Sequence, residues 1–93
     1  MQGQRGPKIY GWHRVNAEKW IETGQWVWVK SSNVAGISYS AHKKTLTVQF
    51  IGGGIYDYFD VPKTVAKDLF NAPSIGKFLA KRIKGVYQYL RVW

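Results

Sequence analysis

The chain has 93 residues, enough for one domain with a modest core and a small stability margin. It contains no Cys, which excludes a disulfide-stapled fold and a thiolate metal site, so five Trp, six Tyr and four Phe must supply much of the buried area. Fourteen Lys and Arg against five acids give a formal charge of +9, which favours a polyanionic partner (RNA, DNA, an acidic protein or an anionic membrane) without choosing among them.

Met1 to Lys8 is rich in Gln, Gly and Arg and reads as a mobile basic arm carrying Arg5 and Lys8. It lacks the apolar core of a signal peptide, and no run in the chain approaches the roughly eighteen apolar residues of a spanning helix. The expectation is a soluble, cytoplasmic protein with no membrane attachment. Residues 9–29 are Trp-rich, with Trp12, Trp20, Trp26 and Trp28. Asn16 is placed to cap a short helix over Ala17 to Thr23, ended by Gly24.

Gln25 to Lys30 alternates, with Trp26 and Trp28 on one face and Val27 and Val29 on the other, which suits a strand. Ser31-Ser32-Asn33 signals a loop. Val34 to Ala41 reads as a strand with Ala35, Ile37 and Tyr39 on one face. His42-Lys43-Lys44 makes a turn into the strand Thr45 to Ile51, whose Leu46, Val48 and Phe50 form an apolar face. Gly52 to Gly54 permits the positive backbone angles of a tight reversal. Ile55 to Asp60 completes an antiparallel meander.

The period then changes from two to about 3.6 residues. Pro62 fits a first helical position, and Val65, Ala66, Leu69 and Phe70 make one apolar stripe. Asn71-Ala72-Pro73 stops that helix. Ser74 caps the next, whose stripe is Ile75, Phe78, Leu79 and Ile83 and whose end is Gly85. Val86 to Val92 alternates again as a last strand carrying Tyr87 and Tyr89. The resulting expectation is an α+β fold, an antiparallel sheet of four to five strands with two short helices packed on one face. Tyr39, Leu46, Val48, Phe50, Val65, Leu69, Phe70, Phe78, Leu79 and Ile83 should supply much of the core.

Several pieces of this text occur in one order: Ser31-Ser32-Asn33-Val34, Tyr39, Leu46-Thr47-Val48-Gln49-Phe50, Gly54 to Pro62, Ser74-Ile75-Gly76-Lys77-Phe78, Ile83-Lys84-Gly85 and Tyr87-Gln88-Tyr89. With them residues 31–93 resemble a KTSC domain. That family is found at the C-terminus of some bacterial lysyl-tRNA synthetases and alone in small bacterial and phage proteins. The resemblance implies RNA binding as the conjectured activity and brings no catalytic residues. It divides the chain into a basic arm and Trp-rich extension, residues 1–30, and a KTSC-like domain, residues 31–93.

The candidate contact residues follow from residue type and spacing. Lys77, Lys81 and Lys84 fall at i, i+4 and i+7, with Arg82 near the same edge, and Lys63 and Lys67 form a similar pair on the preceding helix. Such ridges either neutralise phosphates or are simply solvated helix faces. Lys43 and Lys44 would extend the basic surface. Ser74-Ile75-Gly76-Lys77 is a helix cap with a close-packing glycine or, more sharply, a phosphate cradle. Tyr56 and Tyr58 share a strand face and serve either as core under the helices or as a platform on which bases stack. Trp26 and Trp28 either cover the far side of the sheet or form a protein-binding patch.

Catalysis finds little support. His13 and His42 have no partner at metal-ligand spacing, and the acids form no constellation with a nucleophile. No enzyme activity, cofactor or metal is expected. The leading function is RNA or other nucleic-acid binding, and the alternative is capture of a protein partner through Trp26 and Trp28.

Overall fold

The computed structural model describes residues 15–93. The expected basic arm, Trp12 and His13 lie outside the described residues. Five strands, β1 (Val27–Trp28), β2 (Val34–Ser40), β3 (Thr45–Phe50), β4 (Gly54–Tyr58) and β5 (Tyr89–Arg91), form one antiparallel sheet in chain order. Among the described residues there are three helices: α1 (Ala17–Thr23), over the span that Asn16 and Gly24 mark, α2 (Lys63–Phe70) and α3 (Ile75–Phe78), so α1 joins the two that were expected to pack on the sheet. The last runs directly into a π-helix over Leu79–Ile83.

Helix α1 begins where Asn16 accepts a bond from the Lys19 N–H at 2.8 Å and ends at Gly24, whose φ is 68°. It belongs to the helical layer because Trp20 is fully buried there. The Trp20 ring lies 5.0 Å from Phe70 of α2 and 6.1 Å from Tyr39 of β2, and its indole N–H reaches the Ile37 carbonyl at 3.4 Å. The core therefore extends across residue 30, the expected boundary of the KTSC-like domain.

The inner face of the sheet carries Val34, Ile37 and Tyr39 from β2, Leu46 and Val48 from β3, and Tyr58 from β4. Ala35 was expected beside Ile37 and Tyr39, and the structure corrects this. A register shift between Val34 and Gly36 inserts a bulge, so Val34 takes the inner position opposite Phe50. One extra residue reverses the side on which the preceding positions fall. Of the expected core residues, Phe50, Val65 and Phe78 are only partly buried at its margin.

The turn from Ser31 to Asn33 joins the sheet to α3. Ser31 Oγ donates to Asn33 Oδ1 at 3.1 Å and accepts from the Asn33 and Val34 N–H groups, both at 3.3 Å. The Asn33 carbonyl accepts from Ile51 at 2.9 Å. Gly76 of α3 packs so closely on Asn33 that a Cβ there would collide with the Asn33 amide oxygen. A glycine is needed at this contact for space, not for its backbone angles.

Two phenols are enclosed on the helix side. Tyr39 donates its O–H to the Val61 carbonyl at 2.6 Å. Burial raises the Tyr39 phenol above its ordinary value, with the nearby Tyr87 adding to the shift. Burial also raises the Tyr58 phenol, with Tyr56 and Tyr89 contributing.

Three expected outcomes follow from this packing. Trp20→Ala should cost about 3–5 kcal/mol in denaturant unfolding, a large share of a small domain's stability; a change under about 1 kcal/mol would separate α1 from the core. Gly76→Ala should cost about 1–3 kcal/mol, through displacement of the Ser31–Asn33 turn. For Tyr39 and Tyr58 the fold favours the protonated form. That stabilisation is complete below the unfolded phenol's pKa near 10.0 and is lost as pH rises through the raised values. An alkaline titration followed by phenolate absorbance should show two late phenols ionising with unfolding, and Tyr58→Phe should remove one of them.

Candidate functional site

The helical layer leaves one corner of the inner sheet face open, where β3, β4 and β5 meet the Gly52–Gly54 reversal. Tyr56 and Tyr58 share this face, as their spacing requires. Their register opposite Val48 and Leu46 sets them toward the helices. Tyr58 is buried in the core and Tyr56 is only half covered. Tyr89 stands beside them on β5, opposite Tyr58, with 60% of its surface exposed.

These rings form a cluster with Phe50. Tyr56 lies 5.6 Å from Phe50 in an edge-on arrangement and 5.6 Å from Tyr89, while Tyr58 lies 5.9 Å from Tyr89. Tyr56 and Tyr58 are near parallel at 6.4 Å. Phe50, Tyr56, Tyr58 and Tyr89 line a cleft of about 460 Å³ with Gly53, Lys84 and Gly85. A second hollow of about 460 Å³ shares Phe50 and Gly53 with it and adds Gln49, Gly52, Gly54, Arg91 and Trp93.

Two cations sit at this corner. Lys84 Nζ is 4.8 Å from the centre of the Phe50 ring, and the Arg91 guanidinium carbon is 5.8 Å from that of Tyr56. Both are within cation–π range. Arg91 passes over Gly54, where a Cβ would fall 2.7 Å from Nη2, and its Nε donates to the Trp93 carbonyl at 3.0 Å. With a φ of 105° at Gly54, two constraints meet at that residue.

The structure divides the lysines that sequence spacing grouped. Lys84 does not continue a ridge from Lys77 and Lys81. The π-helix closes with the Lys84 N–H bonded to the Leu79 carbonyl at 2.8 Å, and Lys84 itself is extended with ψ 131°. An i, i+4, i+7 row assumes 3.6 residues per turn, and a π-helix breaks that count. Lys77, Lys81 and Arg82 are exposed on the segment preceding it, with Arg82 5.1 Å over the Phe78 ring. Lys67 is drawn away to α1, where it pairs with Glu18 at 2.6 Å. The hydrogen bond from Lys67, with its charge, holds the Glu18 carboxyl below its ordinary value. Lys43 and Lys44 lie exposed in the β2–β3 turn, and the Lys44 carbonyl accepts from Val61 at 2.9 Å, just before Pro62 and Lys63. They sit at the opposite end of β3 from Lys84, about 20 Å away for a strand of this length.

Ser74 resolves to a helix cap, accepting from the Lys77 N–H at 3.2 Å. Asp57 points to the outer face and accepts the Thr47 hydroxyl at 2.6 Å, which is a structural bond. Trp26 lies so close over Gly36 that a Cβ there would fall 2.6 Å from its indole nitrogen, so it covers the outer face of β2 at this point. Trp28 meets Trp26 edge-on at 5.5 Å and is 51% exposed. Tyr87 is not on β5 with Tyr89, because its N–H is tied to the Ile83 carbonyl at 3.1 Å in the turn leaving the π-helix. Phe50 and Arg91 are site residues that spacing and residue type did not single out. Their signal is the register: both occupy inner-face positions beside the glycine reversal.

Among the described residues no group of three or more His, Asp and Glu is placed to hold a metal ion. No helix among them is long and apolar enough to cross a membrane.

Comparison with known proteins places this geometry. A stretch of 60 residues is 43% identical to part of the lysine–tRNA ligase of Nostoc sp., spanning 64% of this chain but 11% of the ligase. An uncharacterized protein of Stutzerimonas stutzeri is 31% identical over 65 residues, 70% of this chain and 89% of that one. The crystal structure of a KTSC domain protein from Yersinia pestis superposes with a TM-score of 0.72 at 30% identity, covering 74% of this chain and 97% of that one. The KTSC domain pattern itself matches residues 30–89, and with a fold and a sequence that agree over this span the chain belongs to the KTSC domain family.

Proposed function

We propose that this domain is a non-catalytic nucleic-acid-binding module of the cytoplasm, with RNA as its ligand, that engages phosphates through the segment from α3 to Lys84, just past the π-helix. The observation that carries this reading is the run Lys77, Lys81, Arg82 and Lys84. All four are exposed, no acid occurs between Ile75 and Gly85, and none of the four is ion-paired among the described residues. Unpaired ammonium and guanidinium groups on one segment release counterions from a polyanion, which is the main source of sequence-independent affinity. The net charge of +9 adds a steering field. Likeness to a segment of lysine–tRNA ligases, enzymes named for a tRNA substrate, supports RNA as the class.

Lys63, Lys43 and Lys44 extend the charge at the far end of the sheet, while Lys67 contributes less because Glu18 offsets it. Tyr56 and Tyr58 have structural duties and reach a ligand only through the cleft they share with Tyr89. A second reading, a protein contact through the outer face, is favoured by the exposure of Trp28 at the short edge strand β1; Trp26 would then brace it.

The test is a titration of tRNA, single-stranded RNA and duplex DNA at two salt concentrations, followed by Trp fluorescence. Binding should weaken steeply with salt. The Lys77→Glu/Lys81→Glu pair should lower affinity and flatten the log–log salt slope by roughly 0.7–0.9 for each phosphate that is no longer neutralised. Absence of affinity for all three at low salt overturns the reading.

A further inference from the structure

The aromatic cleft is not needed to neutralise phosphate, and its chemistry is more specific than charge. We infer that it receives one unpaired base of a single-stranded nucleic acid, with the adjoining phosphate held at Lys84 and Arg91. The inference rests on the nucleic-acid reading and names what this corner of the domain selects.

Three observations carry it. Size comes first: about 460 Å³ lies within the roughly 300–1,000 Å³ of clefts that enclose small ligands, and no paired duplex offers a single base free to enter one. Lining comes second. Four of the seven lining residues are aromatic, and the rest are two glycines and a lysine. Tyr89 keeps 60% of its surface exposed although it touches both Tyr56 and Tyr58, so one ring of the cluster has its surface available to a further planar group. Bases of any sequence stack on such rings.

Charge is the third. Lys84 and Arg91 lie over the Phe50 and Tyr56 rings, which puts both cations at the cleft and leaves Tyr89 as the ring open to stacking. Among the described residues no acid lines either hollow. Asp57, the nearest acid in sequence, is on the opposite face, bonded to Thr47. Arg91 uses Nε on the Trp93 main-chain oxygen, and among the described residues its two remaining nitrogens make no hydrogen bond, which leaves them to an anion. Gly54 leaves the inner-face position opposite Phe50 without a side chain, and the guanidinium occupies that gap in the second hollow. An apolar stacking surface with Lys84 and Arg91 at its edge fits a planar base linked to a phosphate.

The experiment uses the full chain and a single-stranded RNA carrying one 2-aminopurine. Stacking in the cleft should quench the probe in the single strand and leave it unaffected when the same RNA is fully paired. An abasic site at the probe position, or Tyr89→Ala, should each weaken strand binding by about 5–150-fold, the range expected for one stacked base. Tyr89→Phe should keep affinity and quenching. Because Tyr89 is exposed on an edge strand, the thermal midpoint of Tyr89→Ala should stay near that of the parent. Adenosine monophosphate separates a free nucleotide from a strand: competition as tight as by the strand itself would overturn the assignment to a polymer. If the strand binds with an affinity that Lys77→Glu/Lys81→Glu lowers, yet shows no quenching and no effect of Tyr89→Ala, the cleft inference falls and the nucleic-acid reading stands. Absence of all binding at low salt overturns both.

Discussion

Among the described residues the Trp20 indole is the largest side chain that is fully enclosed, wedged between Phe70 of α2 and Tyr39 of β2. A ring of this size removes roughly 150–250 Å² from water, an upper bound of about 4–6 kcal/mol. For a chain of 93 residues without Cys that is a substantial part of the total driving force. The contact also sets positions. It brings α1 against α2, and Tyr39 in turn bonds the Val61 carbonyl at the entrance to α2. The segment before the family match is thus built into the helical layer over the β2 side of the sheet.

That placement determines what stays uncovered. Helices α1 and α2 are seven and eight residues long, and they gather near β2. The remaining cover, α3 with its π-helix, is held to the sheet at the end where β2 begins and β3 finishes: Gly76 rests on Asn33, and Lys84 reaches Phe50. Beyond Gly85 the chain turns away before returning as β5. Among the described residues no helix covers the corner between β4 and β5, and Tyr89 remains open there. The cleft is therefore a consequence of how few helical residues are available to roof a five-stranded sheet.

Much of this was legible from residue order. Alternation located the strands, and the Asn16 and Ser74 side chains mark helix starts at which both accept the expected backbone N–H. The opposed faces of Trp26 and Trp28 against Val27 and Val29 were equally readable, because strand period is a local property. Errors arose where a local count was carried through a defect. The bulge at Ala35 exchanged inner and outer positions in β2, and the π-helix removed Lys84 from the row of Lys77 and Lys81. The turn that holds Tyr87 shortened the last strand. In each case a backbone irregularity changes the side on which the residues across it fall, and no single residue type announces it.

Residue order by itself determined the class of fold, the paired tyrosines on one strand face, the excess of positive charge and membership in a recognisable family. These depend on spacing and composition, which are properties of the chain. Tertiary structure alone decided that Tyr58 is core while Tyr89 is open, that Lys67 is spent on Glu18, and that Lys84 and Arg91 converge on one aromatic corner. Phe50, Tyr56, Lys84 and Arg91 come from three separate stretches of the sequence. They meet only because β3, β4 and β5 pair in register and a π-turn delivers Lys84 to the same end of the sheet.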